Sequence, residues 1–286
     1  MKVLVTGASG YVGTRVADRF ERDGHEVVRF SRHAGGDITD AEAVAKAVTG
    51  VDAIAHLVAI LDGSDEQFQA VNVGGTRNVL DAAQAAGVKR FLHMSALGVD
   101  AEHAPQTRYW RTKWEALSAV TASDLDWTVF KPSFVFGAGG GALKAFESLL
   151  KGPVAPVIGD GRYRHQPVWV EDVGTAFSAA LDRPETIGKE YGLGGPQVFQ
   201  FNDLLDELAR VTGRSPRRKL HLPAALMKAQ TVVLKHFPPP LKVTREQIVM
   251  LLAGTQCDIA PARHDLGVEP SSIADAYESN EKPTSR

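Results

Sequence analysis

The chain has 286 residues, with 32 basic and 34 acidic side chains and a formal net charge of −2. Such a balance offers no broad basic face for nucleic acid, which needs one to displace counterions. Cys257 is the single cysteine, which excludes an internal disulfide and any CxxC metal or redox site. At roughly 150 residues per domain, the length fits one large or two closely coupled domains. Hydrophobic residues at 44% and charged residues at 23% are those of a globular protein. No run of about 18 apolar residues occurs. The start, MKVLVTGASG, lacks the basic region and long apolar segment of a signal peptide, so a cytoplasmic location is expected.

In chain order, residues 2–6 (KVLVT) read as a short buried strand, and a glycine turn leads into a helix over 11–22 that Asp23-Gly24 closes. Strands are expected at 27–30 and 52–58. A helix over 68–86 is stopped by Gly87, a strand follows at 90–94, a helix at 110–122 and a strand at 127–130. Strand and helix alternating at this spacing predict right-handed crossovers: an α/β protein with a Rossmann-type, doubly wound parallel sheet and helices on both faces. The expected dinucleotide-binding domain is 1–136, its sheet completed by 164–195. After about Gly137 the texture changes to glycine- and proline-rich turns, a strand at 167–170 feeding a helix that Asp172 would cap, and a helix at 201–212 with Asn202 as a cap. Residues 137–286 are therefore expected to form mostly a smaller, irregular substrate or partner lobe, with a substrate cleft against the first domain.

TGASGYVG sets Gly7, Ser9, Gly10, Tyr11, Val12 and Gly13 between the first strand and the first helix. Glycines there allow a tight turn, close approach of backbone to a pyrophosphate, and close packing of helix on strand. The helix N-terminus then offers free N–H groups to the anion. A plain turn is the alternative; the strand-turn-helix context favours dinucleotide binding. This spacing resembles the extended and atypical branches of the short-chain dehydrogenase/reductase family. An NAD site calls for an acidic side chain at the end of the second strand, where this chain has Arg29, Ser31, Arg32 and His33. An arginine beside a serine suits a 2′-phosphate, so NADP(H) is expected over NAD(H), with Ser31 and Arg32 as its contacts. Asp37 and Ile38 match the family's adenine contact; Asp40 reads equally as a helix cap.

Tyr109 and Lys113 lie four apart in YWRTK, on one helical face. A phenol is a poor acid-base at neutral pH unless a nearby ammonium favours the phenolate. Ser95, in HMSALG, falls at the end of the fourth strand, where ligands of open parallel sheets bind. The resemblance makes Ser95, Tyr109 and Lys113 a catalytic triad and matches Asn72 to the asparagine of its proton relay. A buried asparagine bonding a helix backbone is at least an equal reading of Asn72. The same resemblance sets Leu57, Val58 and Ala59 against the nicotinamide side of the cofactor and makes residues 132–134, with Pro132 and Phe134, a loop over the nicotinamide ring. KRFLHMSALGVD, YWRTKWEAL, KPSFVFG and HQPVWVEDV look like an atypical branch whose best-known relative is the NADPH-binding accessory subunit of respiratory complex I. Phe134 occupies the place of a sugar-contacting asparagine, which counts against nucleotide-sugar epimerases and dehydratases.

The expected function is thus an NADP(H)-binding oxidoreductase passing hydride between nicotinamide and a small carbonyl or hydroxyl substrate. The alternatives are a non-catalytic NADPH-binding assembly or redox-sensing protein, and a nucleotide-sugar epimerase or dehydratase. Phe136, Phe146, Tyr163 and Trp169 hint at an apolar or amphipathic substrate. No metal site is expected: no HExxH or mixed Cys/His spacing occurs, and His56 and His93 fall in core strands. His165 and Gln166 are substrate-contact candidates whose structural reading is the stronger. The basic cluster Arg214, Arg217, Arg218 and Lys219 reads as a solvated face; paired with the apolar LPAALMKAQTVVLKHF that follows, it offers a membrane-surface or partner-docking helix as the alternative, with helix core favoured for the apolar stretch. Cys257 reads as a packed small hydrophobe. Helix faces that would pair subunits have the same pattern as those that pack on a sheet, so no oligomer is read.

Overall fold

The computed structural model describes residues 1–138, 140–224 and 244–281. Most of the apolar segment 222–237, the proline run 238–240 and the last five residues lie outside them. The described chain divides into two compact units: residues 1–132, 170–193 and 258–269 in the first, and 133–169, 194–257 and 270–286 in the second.

The first unit is a six-stranded parallel sheet. Its elements are β1 (Lys2–Thr6), α1 (Tyr11–Arg22), β2 (Glu26–Phe30), α2 (Ala41–Val48), β3 (Ala53–His56), α3 (Asp65–Phe68), α4 (Gly75–Ala86), β4 (Arg90–Met94), α5 (Arg108–Thr121), β5 (Asp126–Pro132), α6 (Val170–Leu181), β6 (Lys189–Leu193) and α7 (Ala260–Leu266). The strand order is β6-β5-β4-β3-β1-β2, with every neighbouring pair parallel. This is the doubly wound α/β arrangement expected from the alternation. Val3, Leu4 and Val5 are fully buried, as a strand with helices on both faces must be. One helical layer packs α1 on α6; in the other, α4 lies against α2 and α5. The chain reverses its winding between β1 and β3, where open α/β sheets bind ligands at the carboxyl ends of their strands.

Two helix stops follow the sequence closely. Asp23 ends α1 with Gly24 at φ 88°, and Gly87 ends α4 at φ 73°, the left-handed region that glycine enters without steric cost. The helix expected over 68–86 is broken up instead. Ser64 starts α3 with a capping box, Gln69–Gly74 is a π-helical turn, and α4 begins at Gly75. A Cβ on Gly75 would stand 2.7 Å from Ile38, so close packing against that side chain selects glycine here. Two expected caps are also corrected. Asp172 lies inside the first turn of α6 and not before it. Asn202 is the second residue of the helix Phe201–Val211, whose N-cap is Gln200, and its amide donates to the Asp160 carbonyl at 2.9 Å.

The second unit has short pieces of sheet. Val168–Trp169 pairs parallel with Val135–Gly137, which turns back on Gly140–Gly141; Phe199–Gln200 pairs with Arg164–His165, and Arg218–Leu222 with Val154–Ile158. Its main core gathers Phe136, Leu143, Phe201, Leu204, Leu208 and Ile273.

Candidate active site

The glycine loop is built by contact at each of its glycines. Gly7 has φ 75°, and a Cβ there would meet Leu57 and Val58 at 3.3 Å. A Cβ on Gly13 would lie 2.0 Å from the Gly7 carbonyl oxygen, so helix and loop pack at a distance only glycine permits. Gly10 is the N-cap of α1 with no side-chain cap bond, and the first turn carries no acid. The helix start is therefore left for an anion. Burial pushes the Tyr11 phenol up to about 12, and Val12 follows it in the first turn of α1. Ser9 Oγ lies 3.4 Å from His33 Nδ1.

At the end of β2, Arg29 is held by Asp18 at 2.6 Å and Glu21 at 2.9 Å on α1, which takes it out of contention for a phosphate. Ser31 and the exposed Arg32 open a short turn, Arg32–Ala34. Asp37 accepts from the Thr39 amide and hydroxyl; those bonds, with the Arg32 charge, hold its carboxyl below the usual range. Ile38 is buried, and its carbonyl accepts from Asn78 at 3.0 Å. Asp40 caps α2 through the amides of Glu42 and Ala43.

The loop after β3 is fixed from both sides. The Leu57 amide donates to Thr6, Val58 touches the glycine turn, and Ala59 leads to Ile60. Asn72, buried in the π-helical turn, accepts from the Ile60 amide at 2.9 Å and donates to Thr112 Oγ1 at 3.1 Å. Its side chain thus clamps the loop to α5, through a loop backbone and a helix side chain and not a helix backbone. Thr112 in turn donates to the carbonyls of Arg108 and Tyr109. Sequence reasoning does not single out Thr112; its place beside Lys113 in the YWRTK motif is the only signal it carries.

Thr107 caps α5, accepting from the Trp110 amide at 3.0 Å, which sets Tyr109 in the first turn and Lys113 one turn on. Lys113 is 2% exposed, and its Nζ donates to the Met94 carbonyl at 2.6 Å. Burial depresses its ammonium to about 7, while burial pushes the Tyr109 phenol up to about 12. Ser95, next to Met94, is also 2% exposed. Its amide donates to the Phe130 carbonyl, and its Oγ has no hydrogen-bond partner among the described residues. A hydroxyl buried in that way at the carboxyl end of a strand is a donor waiting for an acceptor. Glycine loop, Leu57–Val58, Ser95, Tyr109 and Lys113 all belong to the first unit, and the close glycine turn with its uncapped helix start fits the diphosphate of a dinucleotide.

The other expected residues are placed differently. Pro132 ends β5 and its carbonyl accepts from the Leu97 amide. Phe134 belongs to the second unit, its ring against His165 at 4.5 Å and Phe146 at 5.5 Å. His165 is fully buried and bonds Thr255 at 2.9 Å. Gln166 binds backbone at both ends of its amide, donating to Gly195 O and accepting from Cys257 N, so it is a structural tie and not a free substrate contact. Lys219 pairs with Asp206, and Arg217 donates to the Leu150 carbonyl. Among the described residues no cluster of His, Cys, Asp and Glu could hold a metal, and no helix is long and apolar enough to cross a membrane.

The model of the NAD dependent epimerase/dehydratase family matches residues 3–194, the stretch that carries the glycine loop, Ser95, Tyr109 and Lys113. The chain belongs to that family. It is 31% identical to the 3 beta-hydroxysteroid dehydrogenase/Delta 5-->4-isomerase of Mycobacterium tuberculosis, over 94% of this chain and 86% of that one. It is 33% identical to the mitochondrial NADH dehydrogenase [ubiquinone] 1 alpha subcomplex subunit 9 of Arabidopsis thaliana, over 52% of this chain and 37% of that one. A short-chain dehydrogenase/reductase superfamily protein from Agrobacterium tumefaciens, solved with bound NAD, superposes with a TM-score of 0.72 at 23% identity, covering 98% of this chain and 96% of that one. The family model thus covers residues 3–194, the hydroxysteroid dehydrogenase aligns with 94% of the chain, and the complex I subunit with 52% of it.

Proposed function

We propose that this protein is an NADP(H)-dependent oxidoreductase acting on a secondary alcohol or its ketone carried on an apolar skeleton. The observation that carries the reading is the end of β4: a buried Ser95 hydroxyl with no hydrogen-bond partner among the described residues, next to the carbonyl that receives Lys113. A bound nicotinamide cofactor would supply or receive the hydride. Ser95 donates a hydrogen bond to the substrate oxygen. Tyr109 gives that oxygen a proton on reduction and takes one back on oxidation. Lys113, on leaving the Met94 carbonyl, bonds the nicotinamide ribose and brings positive charge toward the phenol, lowering a pKa that burial alone holds near 12. Ser31 and Arg32 would hold the 2′-phosphate; Arg32 is exposed at the end of β2, and Arg29 is occupied by Asp18 and Glu21. The hydroxysteroid dehydrogenase relative, aligned over nearly the whole chain, supports an apolar substrate.

The second reading, a nucleotide-binding protein without turnover, draws on the complex I relative and on a resting lysine turned to a backbone carbonyl. Tyr109→Phe separates the two. Assayed by NADPH oxidation over a panel of cyclic and steroid ketones, the variant is expected to lose about 10²–10⁴-fold in turnover. Its nucleotide affinity should stay within about twofold of the parent. A variant as active as the parent would remove the catalytic reading.

A further inference from the structure

Thr6, His56, Thr76, Asn72 and Thr112 are buried in the first unit, and hydrogen bonds join them into one chain. His56 stands at its centre, at the end of β3, with His93 of β4 stacked on its ring at 5.5 Å. Thr6 Oγ1 lies 2.8 Å from Nδ1, and Thr76 Oγ1 lies 3.0 Å from Nε2. The direction of each bond follows from the protons available. Thr76 has one hydroxyl proton, which it donates to the Asn72 main-chain carbonyl at 2.7 Å. Toward His56 the Thr76 oxygen is therefore the acceptor, and Nε2 carries the hydrogen. Burial keeps the ring neutral, and a neutral imidazole has one donor and one lone-pair nitrogen. Nδ1 thus accepts from the Thr6 hydroxyl, whose oxygen accepts from the Leu57 amide at 3.2 Å. The opposite tautomer would leave the Thr6 proton without an acceptor among the described residues and draw the Thr76 proton off the Asn72 carbonyl. Buried donors without acceptors are costly, so the network selects one tautomer.

Both ends of the chain reach the candidate active site. Thr6 precedes Gly7, and the Leu57 backbone lies against the turn that Gly7 makes. At the other end Asn72 donates to Thr112 Oγ1 at 3.1 Å, and Thr112 donates to the Arg108 and Tyr109 carbonyls. We propose that His56 is a positioning residue: fixed as the Nε2–H tautomer, it ties the glycine turn to Asn72 and so to the turn of α5 that carries Tyr109. Its catalytic meaning rests on the reading of Tyr109 as the acid-base, whereas the tautomer is independent of that reading.

The tautomer is read by nitrogen NMR of the full-length, nucleotide-free protein with isotope-labelled histidine, the signals assigned through His56→Gln. A proton-bearing Nε2 and a bare Nδ1, unchanged across neutral pH, are expected. A protonated Nδ1, or two averaged signals, would overturn the proposal. Thr76→Val removes the oxygen that receives Nε2–H and keeps the shape of the side chain. In the ketone assay its kcat should fall about tenfold or more, with NADPH affinity within about twofold of the parent. Thr76→Ser, which keeps the hydroxyl, should recover most of the loss; a purely space-filling role predicts the reverse order. An undiminished kcat in Thr76→Val would overturn the positioning role. Should that variant not fold, Thr6→Val cuts the other arm and should weaken NADPH binding about fivefold or more, and parent-like affinity would overturn the role. A parent protein that reduces no ketone would remove the proposed function and leave the tautomer measurement to decide whether the chain exists.

Discussion

Lys113 has no carboxylate partner among the described residues, and a buried ammonium without one is costly. Its folded pKa, about 7, lies below the ordinary lysine value. The cost of burying its charge is therefore present below about pH 7 and disappears as pH rises toward the unfolded value. Lys113→Met should be more stable than the parent near neutral pH by roughly 1–4 kcal/mol. In chemical denaturation that gain should shrink toward about pH 10; a destabilised variant at pH 7 would contradict the account. The two buried histidines have the opposite consequence on the acid side. His56 is depressed to about 3 by burial and then by Lys113, and His93 is held well below its ordinary value. Both are neutral in the fold and charge on unfolding, so their contribution is full above about pH 6.5 and is lost as pH falls toward the folded values. Near pH ~5.5, unfolding should take up about two protons from this pair. A slope near zero there would refute the burial of neutral rings. None of this is legible from the letters alone: histidine at 56 and 93 reads as core, but which ring nitrogen finds a hydroxyl depends on Thr6 and Thr76, residues far apart in sequence.

At the scale of elements, periodicity carries far where an element is long. The helix over 11–22 and the strand over 90–94 stand at the expected residues, because a buried helix face and a strand covered on both sides leave strong patterns. The π-helical turn at Gln69–Gly74 is invisible to that method. Its residues keep a helical spacing, and only the packing of Gly75 on Ile38 and the Asn72 clamp reveal it. The two-residue strands of the second unit are likewise too short to show a period of two. Adjacent glycines make a direct test. Gly74→Ala meets nothing closer than 3.6 Å and should stabilise by about 0.5–1 kcal/mol. Gly75→Ala drives a methyl into Ile38 and should destabilise by about 1–3 kcal/mol. Equal thermal shifts for the two would show that the close packing is not what selects glycine at 75.

Across the molecule, the glycine loop, the loop after β3 and the ends of β4 and α5 are held in one unit by bonds that depend on very few side chains. Asn72 joins the β3 loop to Thr112, Thr6 joins it to β1, and Lys113 joins α5 to β4. The sequence motifs mark the ends of those elements, whereas the ties between them are long-range and appear only in the fold. Whether the assembled site takes a phosphorylated dinucleotide is the claim on which the rest stands. The most direct test is thermal unfolding of the nucleotide-stripped protein with NADPH, NADP⁺, NADH and NAD⁺ in parallel. At 100 times its dissociation constant a ligand adds about 2.7 kcal/mol. The account predicts stabilisation by the phosphorylated pair, reduced toward that of NADH in Arg32→Ala. Stabilisation by none of the four, or equally by all four, would contradict it.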